Sequence, residues 1–159
     1  MWTVIDSPIG QLRLVERDGA ITAIDFFPFT YADGRPRGDQ DDHHPVLGEC
    51  ARQLGAYFAG DLTAFDLPLA PVGTEWQQRV WAALREVQFG ETATYGDIAL
   101  RLGKTYAAAR AVGLANGSNP IPIVIPCHRI IGADGSLTGY AGGIGRKQLL
   151  LDIESESLF

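Results

Sequence analysis

The chain has 159 residues, 46% apolar and 20% charged, which suits one ordinary domain or two small ones and excludes a disordered or fibrous protein. No apolar run reaches the length of a membrane span, and the first residues lack the basic-then-apolar pattern of a secretory leader. A cytoplasmic protein is expected, and two cysteines 77 positions apart, Cys50 and Cys127, fit a reducing compartment better than a disulfide framework. The net charge of −6 argues against a broadly basic nucleic-acid binder. Its distribution is uneven: residues 1–72 carry five Lys/Arg against eleven Asp/Glu, and residues 73–159 carry eight of each. A local basic surface is therefore open to the second half alone, with few phosphate contacts.

In chain order, residues 2–5 predict a strand, followed by the turn Ser7-Pro8-Ile9-Gly10. Leu12, Leu14 and Val15 suit a second strand, Asp18-Gly19 a hairpin turn, and residues 20–27 a third strand. Residues 28–45 are polar and rich in Gly and Pro, and predict a loop. Within it His43 and His44 lie near Cys50, but the paired spacing of a closed zinc site is absent, so no metal is expected. Val46, Leu47, Cys50, Leu54, Tyr57 and Phe58 recur with helical period up to Gly60, which places Cys50 in a core. Phe65, Leu67 and Leu69 alternate as a short edge strand around Pro68. This predicts a small α/β domain over residues 1–72, with Ala70-Pro71-Val72-Gly73 as linker.

Beyond the linker the period is helical. Thr74 and Gln77 form a capping box, and Trp76, Val80, Leu84 and Val87 line one face of the helix that follows. A second capping box, Thr94 with Asp97, opens a short helix to Leu102. After Gly103-Lys104 another helix runs from about Tyr106 to Gly117, giving a helix-turn-helix pattern. Gly103-Lys104-Thr105 resembles the end of a phosphate loop, but Ile98 stands where that motif needs glycine, so no nucleotide cofactor is expected. The second helix, Ala107-Ala108-Ala109-Arg110-Ala111-Val112-Gly113, offers a single side chain able to reach a base edge. Taken alone it fits either close approach to a nucleic-acid backbone or a tightly packed core helix with one snorkelling arginine.

The run Ile121-Pro122-Ile123-Val124-Ile125-Pro126-Cys127-His128-Arg129-Ile130-Ile131 sets a cysteine, a histidine and an arginine between β-branched flanks. A thiol reacts as thiolate, and a neighbouring imidazole or cation lowers its pKa. On these residues alone Cys127 is a nucleophile or an inert core side chain. Asp134-Gly135 marks a hairpin turn fitting a small wing. Gly139-Tyr140-Ala141-Gly142-Gly143 is a loop leading into a last helix, whose Leu149, Leu150 and Ile153 are expected to face the core.

Pro126-Cys127-His128-Arg129, Arg110-Ala111-Val112-Gly113, Trp76-Gln77-Gln78-Arg79-Val80-Trp81 and Asn119-Pro120 eight positions before the cysteine resemble the motifs of the O6-alkylguanine-DNA alkyltransferases. The resemblance is dense over residues 73–159 and in outline over 1–72. Two departures stand out: Tyr106 replaces a common proline, and the turn at Lys104-Thr105 is one residue longer. The resemblance implies an α/β protein, its N-terminal α/β domain followed by a mainly helical domain, residues 73–159, with a winged helix-turn-helix. It implies a catalytic set of Cys127, His128, Glu154 and Tyr95, in which Glu154 orients His128 and Tyr95 donates toward the departing base. Arg110 would enter the stack where a base is flipped out, with Ala107, Ala108, Ala109, Ala111 and Thr94 completing the DNA-binding set. Asn119, Pro122, Arg129, Tyr140, Ala141 and Gly142 form the expected substrate-binding set, Asn119 by bracing the turn before the cysteine. The implied partner is double-stranded DNA containing O6-alkylguanine, met in the minor groove by a monomer able to bind cooperatively, with no cofactor and no membrane.

Two other classes fit the sequence less well. A cysteine hydrolase or redox enzyme calls for a distant base with an oxyanion hole, or a resolving cysteine, and the sequence displays neither. A regulatory or damage-binding helix-turn-helix protein needs no cysteine, and Cys127 is present.

Overall fold

A computed structural model describes residues 1–29, 37–140 and 142–156. The chain divides into two compact units, Met1–Val72 and Gly73–Phe159. In the first, β1 (Trp2–Ile5), β2 (Leu12–Arg17) and β3 (Ala20–Phe26) form an antiparallel sheet in the order β1-β2-β3. The β2–β3 turn is Asp18-Gly19 with both residues at positive φ (52° and 82°), the pairing whose twist matches the strands it joins. Helix α1 (Pro45–Phe58) packs on this sheet through Leu47, Cys50, Leu54 and Tyr57, against Leu12, Leu14 and Ile21. His44 caps α1 by accepting the Val46 N–H at Nδ1, so it serves the helix end.

The expected strand around Phe65, Leu67 and Leu69 is reduced to one bridge between Ile21 and Leu69. Pro68 has no N–H to give a ladder, and its carbonyl accepts from Ile21 N at 2.8 Å. Gln53 stands in for a neighbouring strand: its side-chain amide donates to Asp66 O and accepts from Asp66 N, each at 2.9 Å.

In the second unit, α2 (Glu75–Leu84) opens on the Thr74–Gln77 capping box. Trp81, not Trp76, is its buried tryptophan, with Nε1 donating to Ala115 O at 2.8 Å; Trp76 lies half-exposed, bonded to Ala111 O. The helix-turn-helix consists of α3 (Tyr95–Arg101), capped by Thr94 and Asp97, a 3-10 turn at Tyr106–Ala108, and α4 (Ala109–Gly117). Tyr106 braces this pair. Its ring lies so close over Gly96 of α3 that a Cβ there would come within 2.5 Å, so only glycine admits it. A two-stranded ladder joins β4 (Ala93–Thr94) to β5 (Ile130–Ile131) in parallel. The turn at Asp134-Gly135 is formed, with Gly132 N bonded to Ser136 O, but the strand before it pairs with β4 rather than in a hairpin.

Helix α5 (Ile144–Glu156) presents a different face from the one expected. Leu149 is exposed, while Lys147, Leu150 and Glu154 are fully buried, at i, i+3 and i+7. Among the described residues no helix is long and apolar enough to cross a membrane.

Candidate active site

Two tight turns deliver the cysteine. Val124 N bonds to Pro122 O at 2.9 Å around Ile123, whose φ of +74° is rare for a β-branched residue. Three residues on, Cys127 N bonds to Ile125 O at 2.8 Å around Pro126, at φ −81° and ψ 63°, the relaxed form of the same turn. Asn119 spans the first turn, accepting from Ile121 N at 3.0 Å and donating to Ile125 O at 2.8 Å. Asn116 of α4 donates to Cys127 O at 3.4 Å. Residues 127–129 then form one 3-10 turn, with all three side chains buried.

His128 and Arg129 both turn inward onto Glu154. His128 Nε2 lies 2.6 Å from Glu154 Oε2, while Arg129 donates to Oε1 at 2.8 Å and Oε2 at 3.1 Å. Arg129 also donates to Val87 O at 2.7 Å, anchoring the chain of charges behind α2. Burial works to raise the Glu154 carboxyl, but the hydrogen bonds and positive charges of His128 and Arg129 outweigh it and bring it down to about 2. Glu154 is therefore ionised, and His128 Nε2 carries the proton it donates. Burial holds His128 below its ordinary pKa, with Glu154 opposing, so the imidazole is neutral. Its Nδ1 is buried and has no hydrogen-bond partner among the described residues. An unprotonated ring nitrogen with its far side fixed by a carboxylate is a proton acceptor held in one tautomer.

Cys127 is 4% exposed, and burial pushes its thiol up to about 11. This corrects the expectation of a thiol lowered by its neighbours: in this state desolvation outweighs them, and the sulfur is protonated. Three influences still oppose burial, namely the Asn119 amide, the Lys147 ammonium and the local backbone N–H groups. No sequence motif marks Lys147. Its Nζ donates to Ile130 O and to Thr138 O, and its positive charge acts on Cys127. The signal that finds it is the i, i+3, i+7 spacing with Leu150 and Glu154, which the run of leucines hides.

The remaining expected residues separate. Tyr95 is half-buried, and its hydroxyl donates to Thr138 O at 2.8 Å, the carbonyl that also receives Lys147. Arg110, Ala107 and Ala111 are exposed on the outer face of α4 and the turn before it, with Ala108 and Ala109 half-exposed; Arg110 has no partner among the described residues. The Thr94 hydroxyl accepts from Asp97 N as the cap of α3. Asn119, Pro122 and Arg129, expected in the substrate-binding set, are all buried, with polar groups engaged inside the fold. Tyr140 is buried, Gly142 is half-buried with its carbonyl accepting from Arg146, and Ala141 lies outside the described residues. A cavity of about 310 Å³ has Glu154, Glu91 and Asp152 in its lining, and Cys127 is not part of that lining.

Fold and site together describe a helix-turn-helix protein with a cysteine–histidine–carboxylate centre packed against its second helix. Residues 75–156 match the family described as "6-O-methylguanine DNA methyltransferase, DNA binding domain", and residues 1–71 the "6-O-methylguanine DNA methyltransferase, ribonuclease-like domain". The methylated-DNA–protein-cysteine methyltransferase of Mycolicibacterium paratuberculosis is 50% identical over 153 residues, 96% of this chain and 91% of that protein. Its namesake from Methanosarcina barkeri is 47% identical over 161 residues, 99% and 98% of the two chains. The crystal structure of Mycobacterium tuberculosis O6-methylguanine methyltransferase superposes with a TM-score of 0.90 at 49% identity, covering 98% of this chain and 93% of that one. The M. tuberculosis OGT protein in complex with DNA superposes at 0.85 and 47% identity, with the same coverage. This chain belongs to the 6-O-methylguanine DNA methyltransferase family.

Proposed function

We propose that this protein repairs DNA by direct reversal, moving the alkyl group from O6 of a guanine onto Cys127 and acting once. Support comes above all from His128, next to Cys127 in the chain, whose Nδ1 is buried with no hydrogen-bond partner among the described residues while Nε2 is tied to Glu154. In the reaction the Cys127 S–H proton passes to Nδ1, directly or through a water, and the imidazolium formed is stabilised by Glu154. The sulfur forms a bond to the alkyl carbon, the bond from that carbon to O6 breaks, and the electron pair leaves with the guanine. Tyr95 turns its hydroxyl from Thr138 to the departing base and supplies the donor it needs. Lys147 stabilises the negative sulfur in between, and Arg129 keeps Glu154 ionised and oriented.

The alkyl group is out of reach while the base is stacked, so the nucleotide is flipped, with Arg110 filling the gap. The smooth alanine face around Arg110 suits a minor groove entered without base reading. Monomeric action in the cytoplasm, with cooperative binding along DNA, completes the reading. A damage binder without chemistry is not favoured, since the relatives carry the methyltransferase name.

The test is a titration. Duplex DNA labelled on the O6-methyl group, in excess, should leave one label per protein and then stop. Continued release of repaired DNA beyond one equivalent, or no transfer, contradicts the proposal.

A further inference from the structure

Helix α4 buries Val112, Ala115 and Asn116 and turns its other side outward. On that outer side Leu114 is 71% exposed, more than any other large apolar side chain among the described residues. A single exposed leucine is ordinary and calls for no explanation. Leu114 differs in its setting. It follows Arg110 by one helical turn on the same face, about 6 Å along the axis. The neighbouring strip of α4 has no side chains: a Cβ at Gly113 would stand 3.7 Å from the Tyr95 ring, and one at Gly117 3.9 Å from Gly139 O. The edge of α4 toward Tyr95 is thus bare, while the outer edge carries Arg110 and then Leu114. Apart from Arg110, the stripe of Ala107, Ala111 and Leu114 has no side-chain hydrogen-bonding group, so it suits sugar and base-edge hydrocarbon rather than phosphate.

We infer that Leu114 is an apolar wedge that packs on the deoxyribose edge of the base pair next to the emptied position. The inference rests on the proposed docking of α4 on duplex DNA and adds the residue that keeps the stack open. Base pairs rise about 3.4 Å per step, so 6 Å from Arg110 reaches a sugar one to two steps away. Arg110 occupies the vacated place, and Leu114 stops the neighbouring pair from closing over it. Inserted apolar side chains hold minor grooves open in this way. The contact carries no charge and no base code, so it acts on every sequence alike.

Rates of alkyl transfer from an O6-methylguanine duplex and from a free O6-alkylguanine base test this in Leu114→Ala, Leu114→Met and Arg110→Ala. The ratio of duplex to free-base rate should fall about tenfold in Leu114→Ala, as expected for losing part of a buried leucine contact, and recover most of that in Leu114→Met. The salt dependence of duplex repair should stay that of the parent, because no phosphate contact is lost. An unchanged ratio in Leu114→Ala with a lowered ratio in Arg110→Ala removes the wedge and leaves the docking intact. Unchanged ratios in both variants remove the docking itself. Equal losses on duplex and free base make Leu114 a residue of the fold and overturn the inference.

Discussion

Each unit of the protein sets a carboxylate between two basic side chains, and each buries a cysteine. In residues 1–72, Asp25 receives Arg13 at 2.8 Å and Arg37 at 3.0 Å. In residues 73–159, Glu154 receives Arg129 and His128 at similar distances. The difference lies in what can change. Both partners of Asp25 are guanidinium groups. Replacing one of them by an imidazole gives the Glu154 cluster two states that differ by a proton. The cysteines divide likewise: burial, with the Glu49 charge adding to it, pushes Cys50 up to about 12, and nothing resolved there opposes it. Cys127 is about as deeply buried, yet an amide, an ammonium and backbone N–H groups work against its desolvation. Ion pairing and a buried cysteine are shared by both regions; a carboxylate-bound imidazole and an opposed thiol belong to one.

The largest effect that sharpens this contrast is on the thiols themselves. Cys127→Ala should abolish alkyl transfer, while Cys50→Ala should leave the transfer rate unchanged and lower unfolding stability by roughly 1–2 kcal/mol. Chemical denaturation and a transfer assay on the two variants check it. Loss of transfer in folded Cys50→Ala would break the comparison.

A smaller effect concerns Lys147. Lys147→Gln keeps a donor for Ile130 O and Thr138 O but removes the charge facing the sulfur. Transfer from a free alkylated base should slow by about tenfold, with the rate profile moved to higher pH. A rate equal to the parent at every pH would restrict Lys147 to bracing the loop.

The smallest effect is on stability against acid. His128 is held below its ordinary value of 6.5, so below that pH the unfolded chain takes up a proton that the folded chain refuses. Its contribution is fully present above about pH 6.5 and declines as pH falls. Glu154, lowered from 4.5 to about 2, adds a second decline as pH falls from about 4.5 toward 2. Denaturation at a series of pH values should show the early step, and His128→Gln, which retains a donor toward Glu154, should lose it.

Features set by neighbouring residues were legible in the sequence. The two capping boxes, the Asp18-Gly19 turn and the α1 face around Cys50 depend on residues a few positions apart. Features set across the fold were not. The alternation of Phe65, Leu67 and Leu69 imitates a strand, but the partner of Asp66 is the side chain of Gln53, thirteen positions away. Trp76 and Trp81 both fit the period of α2, and packing on α4 decides which is buried. In α5 a face reading Lys147, Leu150, Glu154 looks polar until Cys127, His128 and Arg129 are brought to it. The turn at Ile123 runs against the preference of a β-branched residue, so no local rule points to it.

In the proposed mechanism Cys127 is not ionised at rest and reacts through the His128–Glu154 relay. It is tested most directly by the rate of Cys127 alkylation with a free alkylated base, measured against pH for the parent and Glu154→Gln. The parent rate should be nearly level between about pH 7 and 9, because neutral His128 accepts the proton throughout that range. Folded Glu154→Gln should be slower by about a hundredfold and should climb with pH, as for a buried thiol that must ionise unaided. Superimposable curves would remove Glu154 from the mechanism, and a parent rate rising tenfold per pH unit would contradict the relay itself.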